Sequence, residues 1–112
     1  MDENLFQNYK VELRRGTQIL MVLSQLDKQE YGYSLLQKLD EKGVGIEAGT
    51  LYPLMRRLDS QGLLESEWDT SESRPRKYYK LSKTGKELYK NLLKEWQDIV
   101  NEVDNLTGRE TL

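Results

Sequence analysis

Five cations set the chemistry open to this chain: Arg56 and Arg57 in Gly49-Thr-Leu-Tyr-Pro-Leu-Met-Arg-Arg-Leu58, and Arg74, Arg76 and Lys77 in Ser73-Arg-Pro-Arg-Lys-Tyr-Tyr-Lys-Leu81. A guanidinium can bond a guanine edge with two parallel hydrogen bonds, and cations clustered on a projecting loop bind phosphates. One pair falls on the exposed side of a short helix and the other three at a hairpin tip. That placement lets a helix enter a groove while a wing touches the backbone beside it. The spacing predicts a winged helix-turn-helix with double-stranded DNA as its partner.

The helix that carries Arg56 and Arg57 opens between Glu47 and Thr50. It buries Leu51, Leu54, Met55 and Leu58, which follow the i, i+3, i+4, i+7 rule. A proline deep in a helix costs about 3 kcal/mol, so Pro53 is expected in the first turn, where its missing N–H has no partner to lose. Thr50, Tyr52, Pro53, Arg56 and Arg57 then lie off the buried stripe as candidate DNA contacts. Gly62 ends the helix, and Leu63 to Trp68 alternates with Leu64 and Trp68 on one side, as a strand would. Arg76 to Leu81 is the returning strand, and the polar segment Asp69 to Pro75 projects between them. Tyr78 and Tyr79 point to opposite faces, so one packs inward and the other has its hydroxyl free for a phosphate. Neighbouring residues do not choose between them, and Tyr79 is carried as the candidate contact beside Arg74, Arg76 and Lys77.

The elements that position these residues follow from periodicity. Leu5, Tyr9, Leu13, Gly16, Leu20 and Leu23 recur at steps of three and four, which predicts one amphipathic helix ending near Leu26. Its second half, Ile19 to Leu23, is apolar on nearly every side and belongs in the middle of the fold. A second helix is expected from Tyr31 to Glu41 with Leu35, Leu36 and Leu39 inward and Gly43 as a left-handed stop. Ser82 caps a final long helix running to about Leu106. Along it Leu88, Leu92, Trp96, Ile99, Val103 and Leu106 form a stripe broader than the rest of the chain can cover, which predicts a homodimer built on that helix. The fold class expected is mainly α with a small β-hairpin. Residues 1–82 form the winged helix-turn-helix, and residues 83–112 the C-terminal dimerisation helix and tail.

Composition narrows the alternatives. The chain has 112 residues, enough for one modest core, and a formal net charge of −2, which argues against indiscriminate coating of nucleic acid. Charge is unevenly placed. From Glu72 to Lys90 seven basic residues face two acidic ones, whereas from Asn91 onward Lys94 and Arg109 face five acidic residues. With no cysteine and no histidine, disulfides, thiolate nucleophiles, the usual zinc ligands and the usual neutral-pH base are excluded, and no cofactor or metal is expected. Carboxylate pairs such as Asp40 with Glu41 or Glu65 with Glu67 do not make a hydrolase, because adjacent helical residues point apart and the strand pair has no apolar pocket beside it. No signal peptide or membrane span is read from the sequence, so a cytoplasmic protein without a membrane partner is expected. The rival binding class is a winged helix used for protein interaction without DNA, which would lack clustered cations on its third helix and wing.

Three stretches together resemble the PadR family of bacterial transcriptional regulators: Tyr31-Gly-Tyr-Ser-Leu-Leu36, Gly49 to Leu58, and Arg74-Pro-Arg-Lys-Tyr-Tyr-Lys-Leu-Ser-Lys-Thr-Gly85. The resemblance covers roughly residues 13 to 106. It implies a winged-helix domain, a dimerising C-terminal helix and, as is usual in the family, repression of a nearby gene for detoxification, transport or stress. The two-fold dimer expected from the last helix would present two recognition helices about 34 Å apart, matching a palindromic operator. The single C-terminal helix resembles the smaller branch of the family, which includes the lactococcal multidrug regulator. There a tryptophan on the last helix and its twin sandwich flat aromatic molecules, and Trp96 in its Glu-Trp context matches that place. By this resemblance Trp96 is the candidate effector site for a flat aromatic small molecule that releases or tightens the DNA, and Leu5, Tyr9 and Asp98 or Ile99 are the candidates to line the same cavity. As an isolated observation a tryptophan on an apolar helix stripe is more often plain dimer core than a ligand platform. The chain departs from the family at Ser73, where a glycine often precedes the Arg-Pro-Arg-Lys run.

Overall fold

The computed structural model describes residues 1–109. Eight elements follow in chain order: α1 (Glu3–Arg15), α2 (Gln18–Leu23), β1 (Glu30–Tyr31), α3 (Gly32–Glu41), α4 (Ala48–Ser60), β2 (Leu64–Asp69), β3 (Arg76–Leu81) and α5 (Lys83–Thr107). The sheet order is β1-β3-β2, antiparallel throughout, with Asp69 opposite Arg76, Trp68 opposite Lys77 and Tyr31 opposite Tyr78. This is a winged helix-turn-helix followed by a long C-terminal helix.

The first helix is divided, against the expectation of one continuous element. Thr17 donates both its backbone N–H (3.1 Å) and its hydroxyl (2.7 Å) to the Arg14 carbonyl, tightening the turn at Gly16 and separating α1 from α2. Only the second half joins the core. Val22 and Leu23 are fully buried, while no residue of α1 is buried. Around α2 pack Leu35 and Leu39 of α3, Leu51, Met55 and Leu58 of α4, and Leu64, Tyr79 and Leu81 of the sheet. Leu54, expected inward, is half-buried against this cluster.

Short polar bonds lock the sheet to the helices. Leu81 N–H donates to the Leu26 carbonyl (2.8 Å), and the Ser82 hydroxyl donates to the Gly62 carbonyl (2.7 Å) while accepting the Gly85 N–H (3.0 Å). Ser82 is thus the N-cap of α5 and also ties it to the turn after α4, which Gly62 makes in the left-handed region at φ 75°. The two-residue strand β1 carries no periodic signal of its own and exists because β3 offers it a free edge.

Pro53 is placed differently from the expectation. With Ala48 as the first helical residue it sits in the second turn of α4, where its ring removes the bond to the Gly49 carbonyl. Gly49 and Pro53 are both exposed, so the freed carbonyl lies on the solvent side. The apolar contacts of Leu51, Met55 and Leu58 on the opposite side hold the helix together.

Candidate nucleic-acid interface

Thr50, Pro53, Arg56 and Arg57 are exposed on the outer side of α4, and no ion pair engages either arginine among the described residues. A residue advances about 100° around a helix, so the two arginines diverge. Arg56 turns toward the wing and lines a cleft of about 270 Å³ together with Tyr31, Tyr52, Arg76, Lys77 and Tyr79. Arg57 turns the other way, into a groove beside the α1–α2 junction that it shares with Thr50, Pro53 and Arg15. The cations expected at one surface are therefore divided, with Arg56, Arg76 and Lys77 brought together and Arg57 apart.

Tyr52, expected to face outward, is half-buried and packs against the core cluster. Its ring lies over Gly32, where a β-carbon would come within 2.8 Å of the Tyr52 Cε1. A glycine at the start of α3 is what lets the tyrosine bridge α3 and α4. Tyr79, carried as a candidate contact, is instead the inward tyrosine of the pair, only 9% exposed, although it also lines the cleft. Tyr78 lies on the opposite face and donates its hydroxyl to Glu67 (3.0 Å), a bond that raises its pKa.

The wing is held by its own charges. Four acidic residues (Glu65, Glu67, Asp69, Glu72) accompany four basic ones (Arg74, Arg76, Lys77, Lys80) between Leu64 and Leu81, so the hairpin is neutral overall. Lys77 pairs with Asp59 of α4 (3.3 Å), Lys80 with Glu65 (3.7 Å) and Arg76 with Glu72 (3.6 Å). The excess of seven cations over two acids holds along the chain from Glu72 to Lys90, but β2 folds its carboxylates back against it. Arg74, at the exposed tip, has no ion pair among the described residues.

At the wing root a polar clasp joins β1 to the hairpin, and nothing in the sequence pattern announces it. The Tyr31 hydroxyl donates to Asp69 (2.6 Å), the Arg76 guanidinium lies 4.3 Å from the Tyr31 ring centroid, and the Tyr31 and Tyr78 rings meet edge to face at 5.7 Å. Hydrogen bonds from the Ser71 hydroxyl and from Tyr31 hold the Asp69 carboxyl at about 2, and the same Asp69 bond raises the Tyr31 pKa. The pairing of β1 with β3 is what brings these residues together, and a strand of two residues leaves no sequence signal by which to find it.

On the far side of the molecule α5 and the α1–α2 region enclose an apolar groove of about 630 Å³. Leu13, Leu20, Met21, Trp96, Ile99 and Val103 line it, with Arg14 and Asp104 also contributing. Trp96 and Ile99 are thus together. Leu5 and Tyr9, expected with them, are not part of this wall, because the break at Gly16 brings Leu13 and Thr17 there instead. Leu88 and Leu92, expected on the dimer seam, are half-buried against the protein's own core. Beyond them the stripe is open: Trp96 is 41% and Leu106 88% exposed, with Ile99 and Val103 between. Glu110, counted with the acidic end of the chain, lies outside the described residues. No helix among the described residues is long and apolar enough to cross a membrane.

Comparison with known proteins agrees with this architecture over nearly its whole length. A PadR family transcriptional regulator from Eggerthella lenta is 46% identical, covers 94% of each chain and superposes with a TM-score of 0.89. A PadR-like transcription factor from Bacteroides fragilis is 35% identical, with 88% of this chain and 98% of that one covered and a TM-score of 0.75. Transcriptional regulator Rv3488 of Mycobacterium tuberculosis is 37% identical over 60 residues, 54% of this chain and 56% of that protein. Residues 19–91, from α2 into the first turns of α5, match the Transcriptional regulator PadR-like family. The chain belongs to the PadR-like family and is a transcriptional regulator rather than an enzyme.

Proposed function

We propose that the protein represses transcription by binding double-stranded DNA as a homodimer, with α4 in the major groove of each half of a palindromic operator and the wing against the adjacent backbone. The observation that carries this reading is Arg56, exposed, free of ion pairs among the described residues, and facing the same cleft as Arg76 and Lys77 of the wing. An unpaired guanidinium on the outer side of such a helix has its full donor set available to a base edge. Thr50, Pro53, Arg57 and Arg74 complete the surface that faces DNA.

The exposed parts of α1 and α5 support the dimer. Phe6, Leu13, Trp96, Ile99 and Val103 are too large a set of exposed apolar side chains for one short chain, and a twofold partner covers them. The groove beside Trp96 is apolar and large enough for a flat aromatic effector, whose binding would release the DNA. Selection of duplexes by the wild-type protein from a random pool, followed by fluorescence anisotropy, tests the first part. Arg56→Ala is expected to weaken the selected duplex by about 1–3 kcal/mol. Equal affinity for selected and scrambled duplexes, unchanged by that substitution, would refute base reading by Arg56. For the effector, a Trp68→Phe variant isolates Trp96 fluorescence. Quenching by flat aromatic cations is expected, and no response to any such compound would leave Trp96 as dimer core alone.

A further inference from the structure

We propose that Arg15 and Arg57 form a second anion site, one that takes a phosphodiester of the DNA strand on the side away from the wing, so that Arg57 grips backbone and does not read a base. The inference rests on the DNA-binding reading above and assigns the chemistry of a surface that reading leaves undivided. The site is a groove of about 520 Å³ where the α1–α2 junction meets α4. Arg15, Gln18, Thr50 and Arg57, every one a hydrogen-bond donor, line it together with Gly16, Ile19, Pro53 and Leu54, and no carboxylate among the described residues does. Neither Arg15 nor Arg57 has an ion pair among the described residues. Three of the four wing cations, Arg76, Lys77 and Lys80, are by contrast each matched to a carboxylate of the protein itself, and only Arg74 at the tip is not paired among the described residues. Two guanidinium groups without an ion pair among the described residues, set beside two neutral donors at an open groove, fit an anion, and a phosphodiester can engage two guanidinium forks at once.

The geometry of a groove-bound helix selects which anion. The major groove is about 12 Å wide and a helix with its side chains about 10–12 Å across, so the two flanks of the helix meet the two phosphate strands. Arg56 faces the wing flank and Arg57 the opposite one. Arg15 is the last residue of α1 and lines the groove at the break, where Thr17 donates twice to the Arg14 carbonyl. A β-carbon at Gly16 would meet nothing within 4 Å, so the groove is open at that point.

The test uses the full-length protein, a duplex selected by it from a random pool, a scrambled duplex of the same length, and anisotropy titrations over a salt series. Arg15→Ala and Arg57→Ala are expected to weaken both duplexes by the same factor and to lower the slope of log affinity against log salt by about 0.9 for each phosphate no longer neutralised. Gly16→Glu, whose Cβ would meet nothing within 4 Å and which adds a carboxylate at the groove lining, is expected to weaken both duplexes further. Lys94→Ala, on α5, serves as the control for removal of a charge elsewhere and is expected to leave the slope unchanged. An unaltered slope in Arg15→Ala and Arg57→Ala while Arg56→Ala still weakens the selected duplex overturns the inference and leaves the DNA reading standing. Weakening confined to the selected duplex also overturns it, by making Arg57 a base reader. If the wild-type protein enriches no duplex, the DNA reading fails and takes the inference with it.

Discussion

Arg76 is committed inside the protein before any partner arrives, stacked on Tyr31 and within 3.6 Å of Glu72. Its replacement by alanine therefore does two things, removing a cation from the wing and loosening the clasp that fixes the hairpin to β1. The clasp has a definite pH window. A carboxyl held at about 2 instead of 3.8 contributes stability above the higher value and loses it as pH falls toward the lower. Tyr31, raised from 10.0, contributes below that value and ceases to as pH rises through its folded pKa. The clasp is thus intact throughout the neutral range. Carbon-13 NMR titration of Asp69 should find it near 2, and Tyr31→Phe should move it part of the way back, because the Ser71 bonds remain as the larger cause. An Asp69 that titrates at its ordinary value in the wild type would mean the clasp does not form in solution. At this scale the candidate cations can be named from the sequence, but their partners cannot. Asp59 meets Lys77 only after α4 packs against the hairpin and Glu65 meets Lys80 only when β2 pairs with β3, whereas Glu72 is a local neighbour of Arg76, four residues away.

Helices are legible where their apolar spacing is regular and less so where backbone chemistry intervenes. The Leu51, Met55, Leu58 stripe and the Leu35, Leu39 pair predict α4 and α3 closely, since burial on one side leaves a periodic record. The break at Gly16 is hidden because Leu13, Gly16 and Leu20 keep helical spacing across it, and a side-chain bond from Thr17 leaves no periodic trace. Strand β1 is invisible because two residues have no period, and Pro53 falls a turn later than expected because the freed Gly49 carbonyl can face solvent. Gly85 shows a close approach that no spacing reveals. It occupies the third position of α5, and a methyl there would overlap the Leu63 carbonyl oxygen. Gly→Ala in a helix ordinarily gains up to about 1 kcal/mol, whereas Gly85→Ala should destabilise by roughly 1–3 kcal/mol because the obstacle is backbone and cannot rotate away. Urea denaturation distinguishes the two signs, and a gain in stability would show that α5 does not sit so close to the turn after α4.

The whole molecule is extended, 56 × 34 × 23 Å, because α5 runs on past the core that its first turns cover. That overhang makes the dimer proposal testable without reference to DNA. Val103 is on the uncovered part, so Val103→Asp should leave the helical circular dichroism nearly unchanged while reducing the sedimenting species from two subunits to one. A wild-type protein already sedimenting as one subunit at micromolar concentration would contradict the dimer. At the other end α4 and the wing together would face a duplex. Amide NMR spectra recorded while a selected duplex is added test it residue by residue. Shifts are expected in Ala48–Arg57, in the wing from Asp69 to Lys77 and at Arg15, with the second half of α5 responding only weakly. Perturbations confined to α5, or spread evenly over the chain with α4 and the wing unaffected, would contradict it.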